Sequence, residues 1–109
     1  MLSLMFILLT SCKKDEDFTN PNNLSGTSWL SENIGTELQP DYLMLKFTST
    51  SAVELWSKYF GDKTFTLEDK GAYTISGTTI TIILVDSGTG NGIIGGKTMT
   101  FEGSTFTKQ

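Results

Sequence analysis

The sequence predicts an all-β domain, a small antiparallel meander of about seven or eight strands closing into a barrel. Three observations lead there. From about Leu24 onward, apolar and polar residues alternate with a period of two, the spacing of half-buried strands. Turn-forming clusters interrupt that alternation at short, even intervals. No run of helical period is long enough for more than a turn or so, and Glu37 to Tyr42 is where such a turn is expected.

The strands follow in order. Leu43, Leu45 and Phe47 alternate with Met44, Lys46 and Thr48, and Val53 to Tyr59 alternates likewise. Phe65 and Leu67 are interleaved with Thr64, Thr66 and Glu68, and Tyr73 and Ile75 with Thr74 and Ser76. Thr79 to Val85 has the strongest β-propensity of the chain. Met99 with Phe101, then Thr105 to Thr107, end the series. Turns are expected at Gly61-Asp62, Asp69-Lys70-Gly71, Ser76-Gly77, Asp86-Ser87-Gly88, Gly95-Gly96 and Gly103-Ser104. Connections this tight join antiparallel neighbours, since parallel pairing needs a long crossover. An open meander would leave two unpaired edges, and closure removes both. Trp29 is assigned to the core. Phe47, Phe65, Tyr73, Phe101 and Phe106 are the bulky inward candidates, so a filled interior is expected.

Composition narrows the chemistry. The chain has 109 residues, a net charge of −4, one cysteine and no histidine, and its eight basic residues are all lysine. Without clustered Lys and Arg, nucleic acid is not expected as a partner. Without histidine, Ser-His-Asp and Cys-His mechanisms are excluded, and the usual zinc sites go with them. No cofactor, metal or catalytic residue is expected, and the protein is read as a non-enzyme.

The lone cysteine sits at the end of Leu9-Thr10-Ser11-Cys12, after the apolar run Leu2 to Leu9. That run is far shorter than the roughly 20 residues of a spanning helix. The four residues resemble a bacterial lipobox, which implies cleavage before Cys12 and acylation of its thiol and new amino group. Two or more acyl chains hold a protein stably to a bilayer, where a single one does not. The expected organisation is a lipoprotein signal peptide over 1–11, a flexible tether over 12–24 and a barrel over 25–109. No Lys or Arg precedes Cys12, whereas signal peptides open with a basic stretch, so a basic segment upstream of Met1 is expected. The tether is charged and rich in asparagine, a composition that cannot offset its ordering entropy. Within it, Lys14-Asp15-Glu16 resembles the signal that exports some lipoproteins of Bacteroidetes-type bacteria to the cell surface. A merely solvated tether is the other reading.

Three further segments carry a family resemblance: Leu24 to Trp29, Gly71 to Thr81 and Phe101 to Phe106. Together they resemble small Bacteroidetes lipoproteins with lipocalin-like domains, which implies an outer-membrane, lipid-anchored barrel facing the cell surface. Lipocalins proper carry Gly-x-Trp near the first strand. Here Gly26-Thr27-Ser28-Trp29 has one residue more, and the chain is much shorter than a full lipocalin.

Other candidates are weaker. Gly92 to Thr98 invites comparison with GxxxxGK[ST], but Asn91 stands where the first glycine belongs, so its glycines are assigned to hairpin turns. Asp62, Glu68, Asp69 and Asp86 have no EF-hand spacing. Trp56 and Phe60 fall opposite the core-facing Val53 and Leu55, a possible binding surface unless a bulge turns Trp56 inward. The expected role is a binding module for a glycan, a small apolar ligand or a partner protein. The alternative is a structural or accessory subunit of an envelope complex with no small-molecule site.

Overall fold

A computed structural model describes residues 24–109. The lipobox residues Leu9, Thr10, Ser11 and Cys12, and the Lys14-Asp15-Glu16 stretch, lie outside the described residues.

Eight strands run in chain order: β1 (Thr27–Ser31), β2 (Tyr42–Phe47), β3 (Ala52–Lys58), β4 (Thr66–Ser76), β5 (Thr79–Leu84), β6 (Gly88–Gly95), β7 (Thr98–Phe101) and β8 (Ser104–Lys108). Each pairs antiparallel with the next, and β8 pairs with β1 to close the barrel. Closure is registered by Trp29 opposite Lys108 and Ser31 opposite Phe106. It is extended by Gln109 N–H donating to Ser28 O at 2.8 Å and Glu32 N–H donating to Thr105 O at 2.9 Å. The expected all-β barrel is the observed one.

The connections divide the barrel into two unlike ends. At one end the links are short: 48–51, 77–78 and 96–97. At the other are the long loops 32–41 and 59–65, with the turns 85–87 and 102–103. We call these the sealed end and the open end.

Leu24 closes the sealed end. The turn Leu24-Ser25-Gly26-Thr27 brings Thr27 N–H to Leu24 O at 3.0 Å, with Gly26 at a φ of 83°. That left-handed third position is what demands glycine there. Thr27 Oγ1 donates to Leu24 O at 2.6 Å and accepts from Trp29 Nε1 at 2.9 Å. Leu24 and Trp29 are thereby fully buried in one core with Leu45, Phe47, Val53, Ile80, Ile82 and Met99. Although 24 was expected to be the last residue of the tether, its side chain belongs to the folded domain. Phe47 meets Tyr73 edge-on at 4.8 Å between ring centroids, and the Tyr73 hydroxyl donates to Ser49 O at 2.8 Å. Burial raises the Tyr73 pKa above the ordinary phenol value.

Three local expectations are corrected. Asp69-Lys70-Gly71 is no turn but lies inside β4, which joins the two strands expected on either side of it. Gly71 is glycine for space: a Cβ there would collide with the Ile83 carbonyl of the neighbouring strand. Second, β6 was not expected at all, because its glycines were assigned to turns. Gly88 and Gly96 do have positive φ, but Gly90 and Gly92 are buried strand residues, and Gly92 has room for no Cβ, with Thr100 O 2.5 Å from where it would sit. Third, 37–42 forms no helical turn. Asn33 instead organises that loop, accepting from Gly35 N–H at 2.8 Å and Asp41 N–H at 3.0 Å.

Candidate functional site

The sealed half is packed, whereas the open half holds a cavity of about 220 Å³ that opens to solvent. The expected filled interior therefore holds for one half only. The cavity walls are apolar, formed by Leu43, Leu55, Leu84, Phe101 and Phe106. Ser87, Ser104 and Glu102 stand around it as polar groups. Gly88, Thr89 and Gly90 of β6 complete its lining. A Cβ on Gly90 would lie 2.9 Å from the Phe101 ring and 2.6 Å from Glu102 Oε2, so glycine there lets the ring and the carboxylate lie directly against β6. Phe65, expected inside, precedes β4 on the 59–65 loop and contributes nothing to this core.

A bulge shapes the wall beside the cavity. Leu55 pairs with Asp69 but Trp56 pairs with Leu67, so β4 carries one extra residue, Glu68. Beside the irregularity two carboxylates, exposed Glu68 and buried Asp69, accept hydrogen bonds at the open end. Glu68 accepts a short hydrogen bond from the fully buried Ser57 hydroxyl. Asp69, buried itself, accepts from Ser87 Oγ at 2.6 Å, Ser87 N–H and Lys70 N–H at 2.8 Å, and Asp86 N–H at 3.2 Å. It thereby holds the β5–β6 turn. The Ser87 hydroxyl above all, with the backbone donors, keeps the Asp69 pKa below the ordinary value despite its burial. Asp62 has a local task too, accepting from Tyr59 N–H at 2.9 Å. Three of the four carboxylates weighed for calcium, Asp62, Glu68 and Asp69, are thus engaged by backbone and hydroxyl donors. Among the described residues no three His, Cys, Asp or Glu side chains converge as a metal site would require.

Charge is distributed unequally. Of nine described carboxylates, eight lie at the open end: three in the 32–41 loop, Asp62, Glu68, Asp69, Asp86 and Glu102. Three lysines accompany them (Lys58, Lys63 and Lys70), leaving a net −5 there. The rest of the barrel has Lys46, Lys97 and Lys108 against Glu54. Around the mouth the loops also expose apolar side chains, Leu38 at 86% and Phe60 at 58% among them.

Trp56 points outward, as its alternation with Leu55 predicts, because the extra residue of the bulge sits on β4. It is half-buried on the wall, its Nε1 donating to Glu54 Oε1 at 3.0 Å and Lys46 Nζ lying 4.4 Å from its ring centroid. Phe60 lies apart from it on the rim, where its N–H donates to Asp41 Oδ1 at 2.8 Å and ties the two long loops together. These two residues are not the walls of the cavity. Sequence reasoning placed Leu55, Phe101 and Phe106 inward but missed the cavity they line, because the glycines of Gly88 to Gly92 read as turn composition when the strand is not recognised. Compared with known proteins, the chain matches no family model, and no curated protein or solved structure matches it.

Proposed function

We propose that this is a lipid-anchored, surface-exposed outer-membrane protein that binds a small apolar ligand inside the open end of its barrel, without catalysing a reaction. The observation that carries the binding reading is the apolar cavity, a concave and pre-formed site with a few polar groups at its rim. An enclosed apolar cavity of about 150 Å³ accommodates benzene, so this one suits a ligand of about nine non-hydrogen atoms. Ligands of that size bind with Kd on the order of 0.1–1 mM. The structural-subunit alternative has a filled interior as its premise, and the cavity counts against it. The anchoring reading stands on Cys12 and its lipobox.

Titration of the isotope-labelled protein with 2-phenylethanol tests the binding. Saturable amide shifts are expected at Gly88, Gly90, Phe101 and Ser104, and Ser104→Trp, which places an indole in the cavity, should abolish them. Shifts absent up to about ten times the expected Kd would overturn the reading. Metabolic labelling with palmitate tests the anchor: the wild type takes up label and Cys12→Ser does not. Unmodified thiol on protein recovered from its host's membranes would reject it. Protease shaving of whole cells separates surface from periplasmic exposure.

A further inference from the structure

We propose that the cavity selects amphipathic monocations, an apolar body carrying a primary ammonium, and that Glu102 supplies the counter-charge. The proposal rests on the cavity-binding reading above and names the ligand class.

Glu102 is the first residue of the β7–β8 hairpin turn, with a φ of 51°, and Gly103 follows at 82°. Two successive positive φ values define a turn that Asn-Gly or Gly-Gly makes without strain. Glutamate is a poor choice for the turn itself, and it is the only non-glycine residue with positive φ among those described. What it achieves is placement: the carboxylate lies over Gly90, where a side chain would collide with it, among the groups that line the cavity. There Glu102 makes no hydrogen bond or ion pair among the described residues, whereas Asp69 and Glu68 are engaged by donors. The Ser104 hydroxyl lines the same rim and adds a neutral acceptor.

The surroundings act in the same direction. A net −5 at the open end, around a low-dielectric apolar interior, focuses a negative potential on the mouth. Cations are drawn to it and anions repelled. An ammonium beside Glu102 with its apolar body among Leu43, Leu55 and Phe106 satisfies both halves of the site.

Three ligands with nearly the same body separate the contributions: 2-phenylethylamine, 2-phenylethanol and phenylacetate, each titrated calorimetrically into the full-length protein. The amine should bind about fivefold tighter than the alcohol, with phenylacetate weakest. Raising the salt concentration from 20 to about 500 mM should narrow the difference. Within Glu102→Gln most of the amine's advantage should be lost, leaving only the part that the remaining carboxylates of the open end contribute. Glu37→Gln removes an equal charge from the open end outside the cavity lining, and the amine preference should survive it. An alcohol that binds as tightly as the amine to the wild type overturns the cation proposal and leaves the cavity reading standing. So does a preference that is undiminished in Glu102→Gln. Binding by none of the three overturns both.

Discussion

The two ends of this barrel are built from the same strands and solve opposite problems. Toward the sealed end, Leu24, Trp29, Phe47, Val53, Ile80 and Met99 leave almost no exposed area. Among the described residues the three buried polar ones, Ser31, Ser57 and Asp69, belong to the open end, and each is hydrogen-bonded. One end spends its interior on packing, which stabilises in proportion to apolar area removed from water. The other keeps space and polar groups, and holds its loops by side-chain hydrogen bonds to the backbone. The comparison teaches that stability and recognition are separated along the barrel axis, so substitutions at the two ends should fail differently.

The largest effect is expected from Trp29→Ala, which should cost about 3–5 kcal/mol in urea unfolding by opening a void in the packed end. A loss under about 1 kcal/mol would break the contrast. Asp69→Asn comes next and is pH-dependent. The native carboxyl pKa is depressed, so its contribution is complete above the unfolded value of about 3.9 and disappears as pH falls through the native one. The variant should therefore be less stable at pH 7, with the difference closing below about pH 3.9. Thermal melts across that range check it, and a constant difference would remove Asp69 as the holder of the β5–β6 turn.

Leu55→Ala should cost only about 1 kcal/mol, because the side chain is half-buried and already borders open space. The smallest effect has the opposite sign. Glu102→Gly relieves a left-handed conformation and should stabilise the protein by about 1 kcal/mol while removing most of the preference for amines. A gain in stability with a loss of selectivity would sharpen the division between the ends.

Much of the fold was legible because alternation reports directly on burial. Leu43 to Phe47, Val53 to Ser57 and Thr79 to Leu84 carry bulky residues at every second position and were read correctly. Two features escaped for one reason. Gly71, Gly90 and Gly92 are small so that backbone or aromatic rings can come close, yet glycine in a sequence looks the same whether it bends a chain or makes room within a strand. With β6 unrecognised, the cavity that Gly88 and Gly90 help to line went unrecognised as well. Asp69 was hidden too: its four donors come from the adjacent Lys70 and from Asp86 and Ser87, seventeen and eighteen residues away. Trp56 was legible as outward-facing, but Lys46 lies across the strand at a position that no local pattern reveals.

The turn at Leu24 also sets a direction. That side chain is embedded in the base of the barrel, at the pole that also carries Lys97 and Lys108. A domain held by the proposed acyl chains would be tethered on that side, with its carboxylate-ringed mouth at the opposite pole.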